Sequence, residues 1–164
     1  MQYLWINPVS AGMCEEDSLK RFLERHGLTR VECRGDWGRI VRERYEASLR
    51  AGVTLADARC PEAVRLLEEI QKESENESGI ENLKVAPIEP ILLHCARELS
   101  TRPDLADGEK IITTPCQSLA VLGNSLGLEN TRFIAWNRLA GGEVRVRAIE
   151  DSPIPPGYFA GICR

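Results

Sequence analysis

The chain has 164 residues, with 21 Lys and Arg against 25 Asp and Glu and a formal charge of −4. That length suits about one domain, and burial of about 68–70% of the unfolded surface lets a core form without staples. The acidic balance disfavours nucleic acid, which calls for a basic footprint; no apolar run approaches the roughly 18 residues of a membrane span; and 43% hydrophobic residues exclude a disordered chain.

Met1 to Pro8 has neither a basic n-region nor a long apolar h-region. It reads as the start of a complete cytoplasmic chain, not as a signal peptide. Gln2 to Ile6 is aromatic and β-branched and predicts a strand that stops at Asn7-Pro8. A helix follows from about Glu15 to His26, because Leu19, Phe22, Leu23 and His26 fall on one helical face. Glu15, Glu16 and Asp17 suit its first turn, and Gly27 suits its stop. Leu28 to Cys33 predicts a second strand. Gly35-Asp36 opens a helix with Trp37, Val41 and Tyr45 on a shared face, ending by Gly52.

Val53 to Ala58 predicts a third strand. Cys60-Pro61 opens a helix with Val64, Leu67 and Ile70 in its stripe, proline being suited to the first helical position. Lys72 to Asn82 is polar and aperiodic, the signature of a solvated loop. Leu83 to Ala86 predicts a strand. Pro90 starts a helix whose face is Leu92, Cys95, Ala96 and Leu99. Lys110 to Thr114 predicts a strand, Pro115-Cys116 a helix to about Leu126, and Thr131 to Trp136 a sixth strand. After Gly141-Gly142, Glu143 to Ala148 alternates charged with apolar residues, as a half-exposed antiparallel edge strand does. The proline-rich tail 152–164 reads as extended.

Strand and helix alternate throughout. That pattern predicts a three-layer α/β fold across residues 1–164. A largely parallel sheet carries helices on both faces, with an antiparallel edge strand at the C-terminal end.

Six cysteines are the unusual feature: Cys14, Cys33, Cys60, Cys95, Cys116 and Cys163. No Cys-x-x-Cys occurs, which excludes zinc-ribbon, thioredoxin and bacterial-ferredoxin patterns, and the cytosol keeps thiols reduced. Cys14, Cys33, Cys60 and Cys116 each come just after a predicted strand, near the start of a helix. In a parallel sheet that is the ligand-binding edge, and helix N-termini favour the thiolate that attacks electrophiles and binds soft metals. Set against this, cysteine is among the most buried residue types and often serves as a small hydrophobe. Cys95 on an apolar face reads as core, and His26 and His94 read as structural. Cys60 and Cys116, each coupled to a proline, make the strongest pair. Each is expected to end a strand of the parallel set, so that both sit at the same edge of the sheet with their sulfurs facing one cavity.

From about Val53 to Leu126 the order of short motifs resembles the catalytic domain of iron-only hydrogenases. Arg59-Cys60-Pro61, Ile88-Glu89-Pro90 and Pro115-Cys116-Gln117-Ser118-Leu119 stand where that family has Cys-Cys-Pro, Lys-Ser-Pro and Pro-Cys-Thr-Ala-Lys. The resemblance implies that Cys60 and Cys116 correspond to cluster ligands. It places Arg59 where the family has a proton-relaying cysteine and Leu119 where it has a cofactor-holding lysine. The later Cys-x-x-x-Cys element is absent, so hydrogen chemistry is not expected. Pro115-Cys116-Gln117 is also similar to a motif of flavin- and cluster-binding hydrogenase beta subunits. The expectation is a cysteine-based redox or iron–sulfur accessory protein. A 4Fe–4S cluster would draw on Cys14, Cys60, Cys116 and one of Cys33, Cys95 or Cys163. The alternatives are a metal-free thiol enzyme or redox sensor, with Arg59 supporting a thiolate or an anionic substrate at Cys60, and a non-catalytic module that partners a larger redox protein.

Overall fold

The structure, a computed structural model, describes residues 1–73 and 82–147. Most of the polar loop, the proline-rich tail and Cys163 lie outside those residues. The elements in chain order are β1 (Gln2–Trp5), α1 (Pro8–Met13), α2 (Glu16–His26), β2 (Leu28–Arg30), α3 (Trp37–Ser48), β3 (Thr54–Ala56), α4 (Pro61–Glu73), β4 (Leu83–Val85), α5 (Ile91–Thr101), a 3₁₀ turn (Pro103–Leu105), β5 (Glu109–Thr114), α6 (Gln117–Ser125), β6 (Thr131–Ala135) and α7 (Trp136–Ala140).

The α/β class and the parallel pairing are as the sequence predicts. The strands, however, form two sheets: β2-β1-β5-β6 and, separately, β3-β4, with every ladder parallel. The chain divides correspondingly into two compact units, one built from Met1–Cys33 and the chain from Ala96 onward, the other from Arg34–Cys95. The chain passes between them twice, at Cys33-Arg34 after β2 and at Cys95-Ala96 within α5.

In the first unit, side chains alternate between the two faces of the sheet. Leu4, Ile6 and Ile111 join Leu19, Phe22, Leu28, Ala140 and Val144 in one core cluster under α2 and α7. Trp5, Ile112 and Phe133, in register across three strands, belong to the opposite face, where α6 lies. A parallel sheet is stable only when covered this way, since both of its faces are apolar. β5 is consequently buried along nearly its whole length.

Local chemistry sets the element ends. Gly27 closes α2 in the left-handed region, φ 60°, where a side chain is disfavoured. Asp36 caps α3 by accepting from the Arg39 N–H. Two helices escape the sequence pattern. Asn7-Pro8 starts α1 directly, with Asn7 accepting the Ser10 N–H and Pro8 at the head of the helix. Trp136, expected to end a strand, starts α7 instead. Of the expected edge strand Glu143 to Ala148, the last residue lies outside the described ones, and among the described residues the pairing is antiparallel through a single bridge, Cys14 to Val146.

The outer edge of β6 is closed by a side chain. The Asn124 Oδ1 accepts the Phe133 N–H at 2.8 Å and its Nδ2 donates to the Phe133 carbonyl at 2.9 Å. The peptide groups of Phe133, in the middle of the edge strand, are thus satisfied locally.

Close packing of α6 on β6 depends on Gly123, where a Cβ would fall within the Phe133 ring. Gly123→Ala forces that ring aside in a buried site and is expected to cost about 1–3 kcal/mol. Urea denaturation checks this, and an unchanged midpoint would contradict the packing described.

Candidate functional site

In the four-stranded sheet the chain order reverses between β1 and β5. From β1 the chain passes through α1 and α2 to β2 on one side, and from β5 through α6 to β6 on the other. Open parallel sheets bind ligands outside the carboxyl ends of strands at such a reversal. Two segments meet this description: Asn7-Pro8 after β1 and Pro115-Cys116 after β5.

The two segments are built on buried polar groups. Asn7 is 5% exposed, and Thr113 and Thr114 are fully buried. The Asn7 N–H donates to Thr113 Oγ1 at 3.0 Å, so the end of β1 is clasped to β5 by a side chain. Asn7 Nδ2 donates to Ser10 Oγ at 2.8 Å while its Oδ1 accepts the Ser10 N–H. Thr114 Oγ1 donates to the Cys116 carbonyl at 2.7 Å, which fixes the turn from β5 into α6.

Cys116 is the N-cap of α6, in extended conformation. Its carbonyl accepts the Ala120 N–H at 3.3 Å, and its side chain makes no capping hydrogen bond. A half-buried thiol therefore stands at the start of a nine-residue helix. Peptide N–H groups and the helix dipole favour negative charge at such a point.

Cys14 has different surroundings. Because α1 intervenes, Cys14 follows a helix and not a strand. It is 4% exposed within the core cluster, and its Sγ–H donates to the Ser10 carbonyl at 3.0 Å. Burial pushes its thiol up, with Arg30 opposing to a smaller degree. Burial of this kind opposes the thiolate that ligation requires. Cys33 is half-buried after β2. Nearby, Arg102 donates to the Glu32 carbonyl at 2.7 Å and pairs with Asp104. The Asp104 bond favours its cationic form, and burial opposes it to a smaller degree.

In the second unit Cys60 follows β3 and precedes α4, and its carbonyl accepts the Val64 N–H at 3.0 Å. Cys60 and Cys116 thus end strands of two separate sheets, not of the one sheet that the alternation implied. Arg59 pairs with Asp57, whose carboxylate also accepts the Arg59 N–H and the Tyr45 hydroxyl. Its guanidinium is engaged in building this turn. Cys95 is buried on α5, as expected from its apolar face. His94 stacks on Trp37 with centroids 5.4 Å apart, and His26 meets Glu143 and the Phe22 ring. Both histidines have structural surroundings. Cys14, Cys33, Cys60, Cys95 and Cys116 are all thiols. Among the described residues, no three His, Cys, Asp or Glu side chains form a group that could hold a metal ion.

Asn7 and Thr113 were not singled out by sequence reasoning. The signal for Asn7 was present, since an Asn-Pro pair directly after a strand is a helix cap followed by its first residue. Thr113 gave none, because its role depends on which strand lies beside it. No protein-family model matches the chain, and neither curated proteins nor solved structures give a match. No helix among the described residues is long and apolar enough to cross a membrane.

Removing the clasp tests its weight. Thr113→Val leaves the buried Asn7 N–H without its acceptor and is expected to cost about 1–3 kcal/mol. Thr113→Ser, which keeps the oxygen, should recover part of that loss in urea denaturation. Equal stability of the two variants would show that the clasp carries little.

Proposed function

We propose that this chain is a cysteine-dependent redox accessory protein whose leading reactive group is the Cys116 thiol. The observation that carries the reading is the placement of Cys116 at the head of α6, after β5, beside the reversal of the sheet. Its side chain makes no capping bond, and the residue is half-buried at the start of the helix. Cys60 holds the corresponding strand-end place in the second unit. The motif order shared with iron-only hydrogenases supports redox chemistry over hydrolysis or group transfer. A larger redox protein, as donor or acceptor of electrons, is the partner this reading calls for.

A 4Fe–4S cluster is the cofactor which that motif order implies. When bound, it would supply one-electron transfer, and Cys60 and Cys116 are the residues carried over as ligands. Cluster binding needs about four thiolates. The described residues do not bring such a group together, and Cys14 is engaged in the core. The metal-free thiol reading is therefore the one that the geometry favours.

Two measurements separate the readings. Peptide-resolved iodoacetamide labelling should modify Cys116 at least about tenfold faster than the buried Cys14 and Cys95, following thiol exposure. Equal labelling of all three contradicts the assignment. Anaerobic reconstitution with iron and sulfide should leave the protein colourless. A brown product absorbing near about 400 nm, and lost in both Cys60→Ser and Cys116→Ser, would favour the cluster instead.

A further inference from the structure

After α7, the Gly141-Gly142 turn, with φ of 54° and 83°, sends the chain back across the corner between α1 and α2. Residues Glu143 to Arg147 form a strap there. The Glu143 N–H donates back to the Ala140 carbonyl at 2.7 Å, and three further bonds tie the strap's backbone to the corner: the Glu15 N–H donates to the Arg145 carbonyl at 2.9 Å, the Arg147 N–H to the Met13 carbonyl at 2.8 Å, and the Arg145 N–H to Ser18 Oγ at 2.9 Å. Val144, 6% exposed, enters the same core cluster as Cys14, Leu19 and Phe22. Val146 lies directly opposite Cys14 in the single bridge. At the other end, the Glu143 carboxylate takes Arg25 Nη1 at 2.8 Å and His26 Nε2 at 3.1 Å.

Among the described residues the strap is held by a small set of contacts. Among those residues it joins no strand ladder, it buries one side chain deeply, and its ion pairs are solvent-exposed. Segments with few buried contacts and exposed hydrogen bonds detach locally, well below the free energy of global unfolding. Beneath it sits the buried Cys14 thiol, which donates to the Ser10 carbonyl of its own helix turn.

We propose that Glu143–Arg147 is a reversible gate over Cys14. Closed, it keeps the thiol inside the core. Opened by local detachment, it exposes that thiol while β1, β5 and β6 stay folded. The position of this five-residue strap is thereby converted into the accessibility of one cysteine. The gate stands independently of the role assigned to Cys116.

The test uses the full chain and iodoacetamide as the probe. Labelling of Cys14 is read by peptide mass mapping at increasing urea, all below the unfolding midpoint. In the limit of fast reclosing, the rate is the intrinsic thiol rate multiplied by the opening equilibrium. A local gate gives a urea dependence less than about half that of global unfolding, because the slope scales with the surface exposed. Glu143→Ala, which removes the exposed latch, should raise the Cys14 rate about two- to fivefold and leave the Cys116 rate unchanged. A Cys14 urea dependence equal to that of global unfolding overturns the gate. So does a Glu143→Ala variant that labels Cys14 at the wild-type rate.

Discussion

The first unit depends on the parallel pairing of β1 with β5. Gln2 to Trp5 lie in register with Glu109 to Ile112, and the Asn7–Thr113 bond extends the pairing past the strand end. Everything else in the unit is attached to these two strands. β2 adds to β1 and β6 to β5, and the crossovers α2 and α6 cover opposite faces because the chain departs from the pair in opposite directions. The same reversal that lets both faces be covered also places two turns at one edge. Fold and candidate site therefore follow from one constraint.

Much of this was legible in the sequence. β5 reads as a strand because Lys110 to Thr114 is a continuous β-branched run once past its lysine, as a strand buried on both faces must be. α2 reads as a helix because its apolar spacing, acidic first turn and Gly27 stop all agree. The second sheet was not legible. β3 and β4 have three residues each, and nothing in Thr54–Ala56 or Leu83–Val85 states which strand will lie alongside. Strand periodicity reports a face, not a neighbour. α1 was missed because six residues are too few for a periodic stripe, although its cap and first proline were visible. That omission mattered for Cys14. Without α1, Cys14 looks like a strand-end residue, whereas it is the C-cap of a helix turned into the core.

The cysteines show how little residue type decides by itself. Cys14 and Cys95 are buried as small apolar side chains, in keeping with the usual behaviour of the residue. Cys33, Cys60 and Cys116 are half-buried. Among these, Cys116 combines a helix start of adequate length with a turn held by a buried hydroxyl, the Thr114 bond to its own carbonyl. Spacing alone ranked Cys60 and Cys116 together. The sheets separate them, since each ends a strand of its own ladder.

Native-state hydrogen exchange measures the central pairing most directly. The Leu4, Ile112 and Thr113 amides should be the slowest in the protein and exchange only through global unfolding, while the Gln117 and Ser118 amides at the open head of α6 exchange fast. β1 and β5 amides that exchange as readily as those of the β3–β4 ladder would contradict the account.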